Sequence, residues 1–93
     1  MITSVSVSTV ETMVLTRPSG NAYRFVAIGN VGANTAYLKL TPDADAVTAT
    51  NGIPLPSGAS ILCDQDDSKE LFKAPVTAIC SSGNTTTLSV QAY

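Results

Sequence analysis

Apolar and polar residues alternate along much of this chain, which is typical of β-strands. Residues 4–9 read Ser-Val-Ser-Val-Ser-Thr, so we expect Val5 and Val7 to face one side of a strand and the serines the other. In no window do apolar residues recur every three or four positions, as they would on one face of a helix. The pattern therefore predicts an all-β protein.

Similar runs follow along the chain, each bounded by turn-forming residues. We predict further extended segments over residues 10–16, 22–29, 35–41, 59–63, 76–80 and 86–92, and a loop or short edge strand over 42–50. The run 22–29 is apolar at nearly every position, which favours a central strand buried on much of both faces. About seven short strands at this spacing are typical of a single antiparallel β-sandwich or a small barrel.

Two of the connections have the composition of hairpin turns. Residues 30–34 read Asn-Val-Gly-Ala-Asn, and residues 81–85 read Ser-Ser-Gly-Asn-Thr. Glycine and asparagine tolerate the positive φ angles that tight turns need. We therefore expect the strands on either side of each connection to be neighbours in one sheet.

The stretch at 51–60, Asn-Gly-Ile-Pro-Leu-Pro-Ser-Gly-Ala-Ser, places two prolines among apolar residues. Proline fixes φ and lacks an N–H donor, so we expect this stretch to be extended and unpaired. Its two large apolar side chains would point the same way and fill an open end of the sandwich, while the flanking glycines permit bends. We interpret as a structural corner the residues Gly52, Ile53, Pro54, Leu55, Pro56 and Gly58.

The length and composition of the chain limit the number of domains and the kinds of partner that it can have. The chain has 93 residues, which is room for one domain over residues 1–93 and a thin hydrophobic core. Charged residues make up 13% of it, about half the usual fraction. So few charges favour a protein whose Ser- and Thr-rich face is covered in an assembly. The net charge of −2 and the lack of a basic stripe argue against nucleic acid as a partner.

The sequence also bears on compartment and on cysteine chemistry. Residues 1–9 lack the positive and continuously apolar regions of a signal peptide, and no stretch is long enough to cross a membrane. We therefore expect synthesis in the cytoplasm and no membrane association. A reducing compartment favours buried, reduced thiols for Cys63 and Cys80, and a disulfide is the alternative if their strands are neighbours.

No group of residues suggests catalysis or metal binding. Histidine is absent, and no serine lies in a nucleophile motif, so we expect no enzyme activity, no catalytic residue and no cofactor. The acidic stretch 64–70 departs from a calcium loop because Lys69 stands where the tight turn needs glycine. Two cysteines without histidine do not complete a tetrahedral zinc site. We therefore expect no metal site.

Several segments form a recognisable set: an apolar Gly-Ile-Pro-Leu corner, a short apolar element and a Val-rich final segment. They lie at positions 25–40, 52–55, Gly58, Leu71, Phe72, Ile79 and 88–93. In these segments the chain resembles small bacteriophage virion proteins, which share the corner, the apolar element and the final strand. The resemblance covers about the last three quarters of the chain. It departs from the pattern at Pro75 and at the two cysteines, and it does not reach residues 1–16.

Proteins of this kind are β-sandwich components of capsids or tails, and capsid decoration (cement) proteins are often trimers on the outer shell. The resemblance therefore implies a non-enzymatic virion structural protein at the capsid surface. Its implied partners are the major capsid protein and further copies of itself, with a trimer favoured. The alternative is a phage fibre or tail module that binds a host-surface receptor or glycan, for which Tyr23, Tyr37 and Tyr93 would supply stacking aromatics.

The N-terminal segment 1–9 is a candidate for an extended arm that pairs with the sheet edge of a neighbouring subunit. An ordinary first strand is the alternative. The interface residues proposed in this segment are Ile2, Val5, Val7 and Thr9.

Overall fold

The computed structural model describes residues 2–15, 25–40, 46–64, 76–81 and 83–92. These residues form strands and no helix, which confirms the all-β prediction. The strands are β1 (Ile2–Val7), β2 (Thr12–Leu15), β3 (Phe25–Asn30), β4 (Ala36–Lys39), β5 (Ile53–Leu55), β6 (Ser60–Asp64), β7 (Val76–Cys80) and β8 (Thr86–Ala92).

The eight strands form two four-stranded sheets. The first sheet has the order β1-β8-β3-β6, and the second has the order β2-β7-β4-β5. Every pairing within them is antiparallel. The predicted antiparallel sandwich is therefore confirmed.

The hydrophobic core lies between the two sheets because both turn alternate side chains towards it. In β3, β7 and β8 buried positions alternate with half-buried ones, except that Gln91 of β8 is exposed. One cluster joins Val7, Val26, Ile28, Leu88, Val90 and Ala92 of the first sheet to Val14, Leu15, Ala36, Leu38, Leu55, Val76, Ala78 and Cys80 of the second. The central position predicted for β3 is confirmed, and its side chains are buried on the inward face and half-buried on the outward face, as expected for a strand buried on much of both faces.

The chain changes sheet at nearly every connection. Among the eight described strands, β4 and β5 are the one consecutive pair that lies in the same sheet. The hairpins predicted at 30–34 and 81–85 are therefore wrong, since β3 and β4 lie in different sheets, as do β7 and β8. Turn residues such as Gly83, with φ of 80°, reverse the chain without specifying which sheet it enters next.

The expectation that the proline-containing corner is unpaired is also wrong. Residues 53–55 form edge strand β5, in which Pro54 lies opposite Tyr37 of β4. An edge strand tolerates proline because one of its sides needs no donors. Leu55 is buried in the core, as expected, whereas Ile53 is 45% exposed, so the two side chains do not fill the sandwich together.

The N-terminal residues belong to the sandwich. Residues 2–7 form β1, which pairs with β8 at every position, as the ordinary first strand would. Val7 is fully buried, and Val5 is partly buried and packs against the core. Ile2 and Thr9 are exposed, so half of the proposed interface set is on the surface.

Cys80 is a buried, free thiol, which excludes the alternative of a disulfide with Cys63. Cys63 lies on β6 in the first sheet and Cys80 on β7 in the second. The predictions for the acidic stretch beyond Asp64, for Leu71 and Phe72, and for Tyr23 and Tyr93 lie outside the described residues.

Candidate functional site

The outer side of the first sheet carries small, uncharged side chains at its centre. Because Val26, Ile28 and Val90 point into the core, the residues between them point outwards. The strand register aligns Ser4 with Ser89, Ser89 with Gly29, and Gly29 with Ser60. One row across all four strands thus presents serine and glycine.

The adjacent row adds apolar side chains at both edges of the same sheet. It runs from Ile2 on β1 through Gln91 and Ala27 to Leu62 on β6. Ile2 is 78% exposed and Leu62 is 66% exposed. We call the small-residue face the set Ile2, Ser4, Ser6, Ala27, Gly29, Ser60, Leu62, Thr87, Ser89 and Gln91, none of which is charged.

The outer side of the second sheet differs because a loop lies over it. Val47, in the loop 46–52, is buried without belonging to the core between the sheets. Its backbone N–H donates a 2.8 Å hydrogen bond to Oε2 of Glu11, which also accepts a bond from the Thr77 hydroxyl at 3.4 Å. The loop is therefore anchored on the outward side of β7.

The same loop closes tightly upon itself and upon β4. Gly52 donates its N–H to the Thr48 carbonyl at 2.9 Å, and the Asn51 side chain accepts from the Thr48 N–H at 2.7 Å. A Cβ atom at Gly52 would lie 2.8 Å from the Cβ of Tyr37. The loop thus leaves Tyr37 half-buried.

A buried polar cluster joins the two sheets at one end of the sandwich. Asn30, at the end of β3, donates through Nδ2 to the carbonyls of Leu55 at 2.8 Å and Asn34 at 2.7 Å. Its Oδ1 accepts from the Thr86 hydroxyl at 2.6 Å and from the Gly32 N–H at 3.1 Å. All four hydrogen-bonding positions of this amide are therefore used.

The backbone of Asn30 is also bonded, and the surrounding connections join the same cluster. Its N–H donates to the Ala59 carbonyl at 2.9 Å, and its carbonyl accepts from the Gly58 N–H at 2.8 Å. Ser57 donates to the Gly32 carbonyl at 2.6 Å. With no free donor or acceptor on the Asn30 side chain, the cluster holds the connections together and offers a ligand little.

Sequence reasoning assigned Asn30 to turn chemistry and missed its place in the core. The signal was present in the spacing, because Val26, Ile28 and Asn30 follow one another at intervals of two residues. A polar residue at the third core-facing position of a strand indicates a buried hydrogen-bonding site.

The described part of the chain shows little that would support chemistry. No group of three or more His, Cys, Asp or Glu side chains in it is arranged to hold a metal ion. It contains no helix suited to crossing a membrane. Glu11 is bonded to the 46–52 loop, so its carboxylate serves the fold. The small-residue face is therefore the strongest candidate for a functional surface.

Comparison of the chain with protein-family models, with curated proteins and with solved structures found no match.

Proposed function

We propose that this chain is a non-enzymatic bacteriophage virion protein that decorates the capsid surface and stabilises the shell. The observation that carries the proposal is the small-residue face, which crosses the full width of the first sheet without a charge. The sequence resemblance to small virion proteins supplies the context.

A face of this composition is suited to burial against another protein. Covering charged groups costs free energy unless each finds a partner, and this face has none to cover. Serine, alanine and glycine also lose little side-chain entropy when they are fixed. Ile2 and Leu62, both exposed at its edges, add apolar area to the contact.

The proposed stabilisation of the shell increases with the number of bound copies. A single copy contributes a modest interface, but many copies on a symmetric shell together favour the assembled state by mass action. The major capsid protein is the proposed partner because it supplies that repeated surface.

The fibre or tail alternative has less support from the structure. Glycan stacking requires exposed aromatic rings, whereas Tyr37 is half-buried beside the 46–52 loop. The other two tyrosines lie outside the described residues. We therefore prefer the decoration role.

Quantitative mass spectrometry of purified particles tests the proposal. Particles are prepared from a phage mutant that lacks the gene and are incubated with the pure chain. They are then separated from unbound protein by density centrifugation, and the bound copies are counted. Hundreds of copies per particle and a higher disruption temperature are expected. A handful of copies would favour the fibre or tail role, and no bound copies would overturn both.

Two matched variants test whether the small-residue face makes the contact. Ser89→Glu places a charge at the centre of the face, and Thr50→Glu places the same charge on the exposed side of the 46–52 loop. We expect the first to reduce bound copies by about 10-fold or more and the second to leave them unchanged. Equal binding of both variants would contradict the assignment of this face.

A further inference from the structure

We propose that β1 pairs antiparallel with β1 of a second copy of this chain, so that the first sheets of two molecules form one continuous sheet. This inference does not depend on the proposed role in the capsid. It rests on how the four edge strands of the described sandwich differ.

Edge strands expose backbone N–H and C=O groups that pair readily with another chain, and proteins usually protect them. Both edges of the second sheet are protected. Strand β5 has three residues with Pro54 at its centre, which removes a donor. Strand β2 has four residues, and its register shifts between Met13 and Leu15. Such an irregularity bends the strand and spoils continued pairing.

The β6 edge of the first sheet is protected by charge. Strand β6 ends at Asp64, whereas β1 contains no charged residue. A charged residue on an edge strand disfavours pairing with another chain.

Strand β1 has none of these protections. Its residues Ile2–Val7 contain no proline and no charge, and all of them pair with β8 in a single unbroken register. Ile2, Thr3, Ser4 and Ser6 are exposed, so none of the described residues covers this edge. None of the hydrogen bonds of the described residues joins β1 to a partner on the side away from β8.

We infer that the chain that pairs with β1 is a second copy of this protein, because β1 is complementary to itself. Antiparallel pairing about a two-fold axis perpendicular to the sheet keeps core-facing residues opposite core-facing residues. The axis then passes beside Ser4 or Val5, at the middle of the strand, and no like charges meet. This pairing closes as a dimer, in contrast to the trimer implied by the sequence resemblance.

The mass of the pure chain in solution tests the proposal directly. Sedimentation equilibrium from about 1 μM to 1 mM, a range that covers weak edge pairing, is expected to show a transition from 9.6 kDa to twice that mass. A monomer throughout, or a species of three copies, would overturn the proposal.

Two lysine variants on the same cross-strand row locate the contact. Ser4 and Ser60 are both exposed, on opposite edges of the first sheet. Ser4→Lys brings two ammonium groups together in the dimer and is expected to weaken association by about 10-fold or more. Ser60→Lys is expected to leave it unchanged. If both variants weaken association, the face rather than the β1 edge makes the contact and the proposal fails.

Hydrogen exchange provides a readout that needs no variant. Amides of β1 that point away from β8 should exchange slowly at high protein concentration and rapidly at low concentration. Amides of β6 that point away from β3 should not change. Protection that appears at β6 instead would contradict the assignment to β1.

Discussion

The two sheets share one core but present different surfaces to their surroundings. The second sheet carries larger side chains on its outer side, including Tyr37 and Ile79, and has the 46–52 loop anchored over it by Glu11. No described loop lies over the first sheet, which presents serine, glycine and alanine at the centre of its outer side and Ile2 and Leu62 at its edges. Among the described residues, the outer side of the second sheet thus contacts the chain's own loop, whereas the outer side of the first sheet is the surface for which we propose contacts with other molecules.

The difference extends to the sheet edges. The edges of the second sheet are short and interrupted by Pro54 or by a register shift. In the first sheet, β1 is regular and uncharged. Both differences set the first sheet apart from the second, and the predictions below test the features that distinguish the two sheets or join them.

The largest effect is expected where the two sheets are joined. Asn30→Ala leaves the Leu55 carbonyl and the buried Thr86 hydroxyl without their partner. Since each unsatisfied buried group costs about 1 to 3 kcal/mol, the free energy of unfolding should fall by about 4 kcal/mol. Equilibrium unfolding in urea measures it.

Asn34→Ala serves as the control for this change. Asn34 donates to the Thr85 carbonyl in an exposed bond of 2.8 Å. Water replaces an exposed partner, so a loss of about 1 kcal/mol or less is expected. Equal losses in the two variants would show that the Asn30 cluster does not hold the sheets together.

The next effect tests the edge of the second sheet. Leu55→Ala removes a side chain that is 2% exposed and lies in the core, and should cost roughly 2 to 4 kcal/mol. Ile53→Ala, on the same strand at a position 45% exposed, should cost less than about 1 kcal/mol. Similar losses of stability in the two variants, measured by thermal or urea unfolding, would mean that Leu55 does not contribute more to the core than Ile53 does.

A smaller effect tests the loop over the second sheet. A Cβ atom at Gly52 would lie 2.8 Å from Tyr37 Cβ and 2.9 Å from the Thr48 carbonyl oxygen. These atoms cannot rotate away, so Gly52→Ala should displace the loop and cost about 1 to 3 kcal/mol. Unchanged urea stability would show that the loop does not pack closely on β4.

The smallest expected effect is an increase in stability, and it tests the small-residue face of the first sheet. At Gly29, on the small-residue face, a Cβ atom would meet only Ser60 Cβ, at an ordinary 3.8 Å. Gly29→Ala should therefore raise the free energy of unfolding by about 0.5 kcal/mol, because alanine restricts the unfolded chain more than glycine does. A decrease in the free energy of unfolding of more than about 1 kcal/mol would mean that Gly29 is more tightly packed than its 3.8 Å contact with Ser60 indicates.

Much of the fold follows from the alternation of residues. The pattern at 4–9 placed Val7 inwards and the serines outwards, as β1 has them, because a strand turns successive side chains to opposite faces whatever its neighbours are. The extended segments 59–63, 76–80 and 86–92 correspond closely to β6, β7 and β8 for the same reason.

For the candidate surface, the sequence predicted the types of residue but not their arrangement. A low charge and many serines predicted a surface suited to assembly, but not that Ser4, Ser89, Gly29 and Ser60 form one row. These residues are far apart in the chain, and pairing between distant strands aligns them. The role of Asn30 was missed because its partners also come from distant segments.

The sequence by itself determined the class of fold, most strand positions and the inward side of each regular strand, because these depend on local backbone geometry. Tertiary structure alone decided which sheet each strand enters, why Pro54 is accepted at an edge, and which outer surface the 46–52 loop covers. The physical reason is that turn residues bend the chain similarly in a hairpin and in a crossover between sheets. The choice between them is made by the shared core, where burial of apolar side chains from both sheets is greatest.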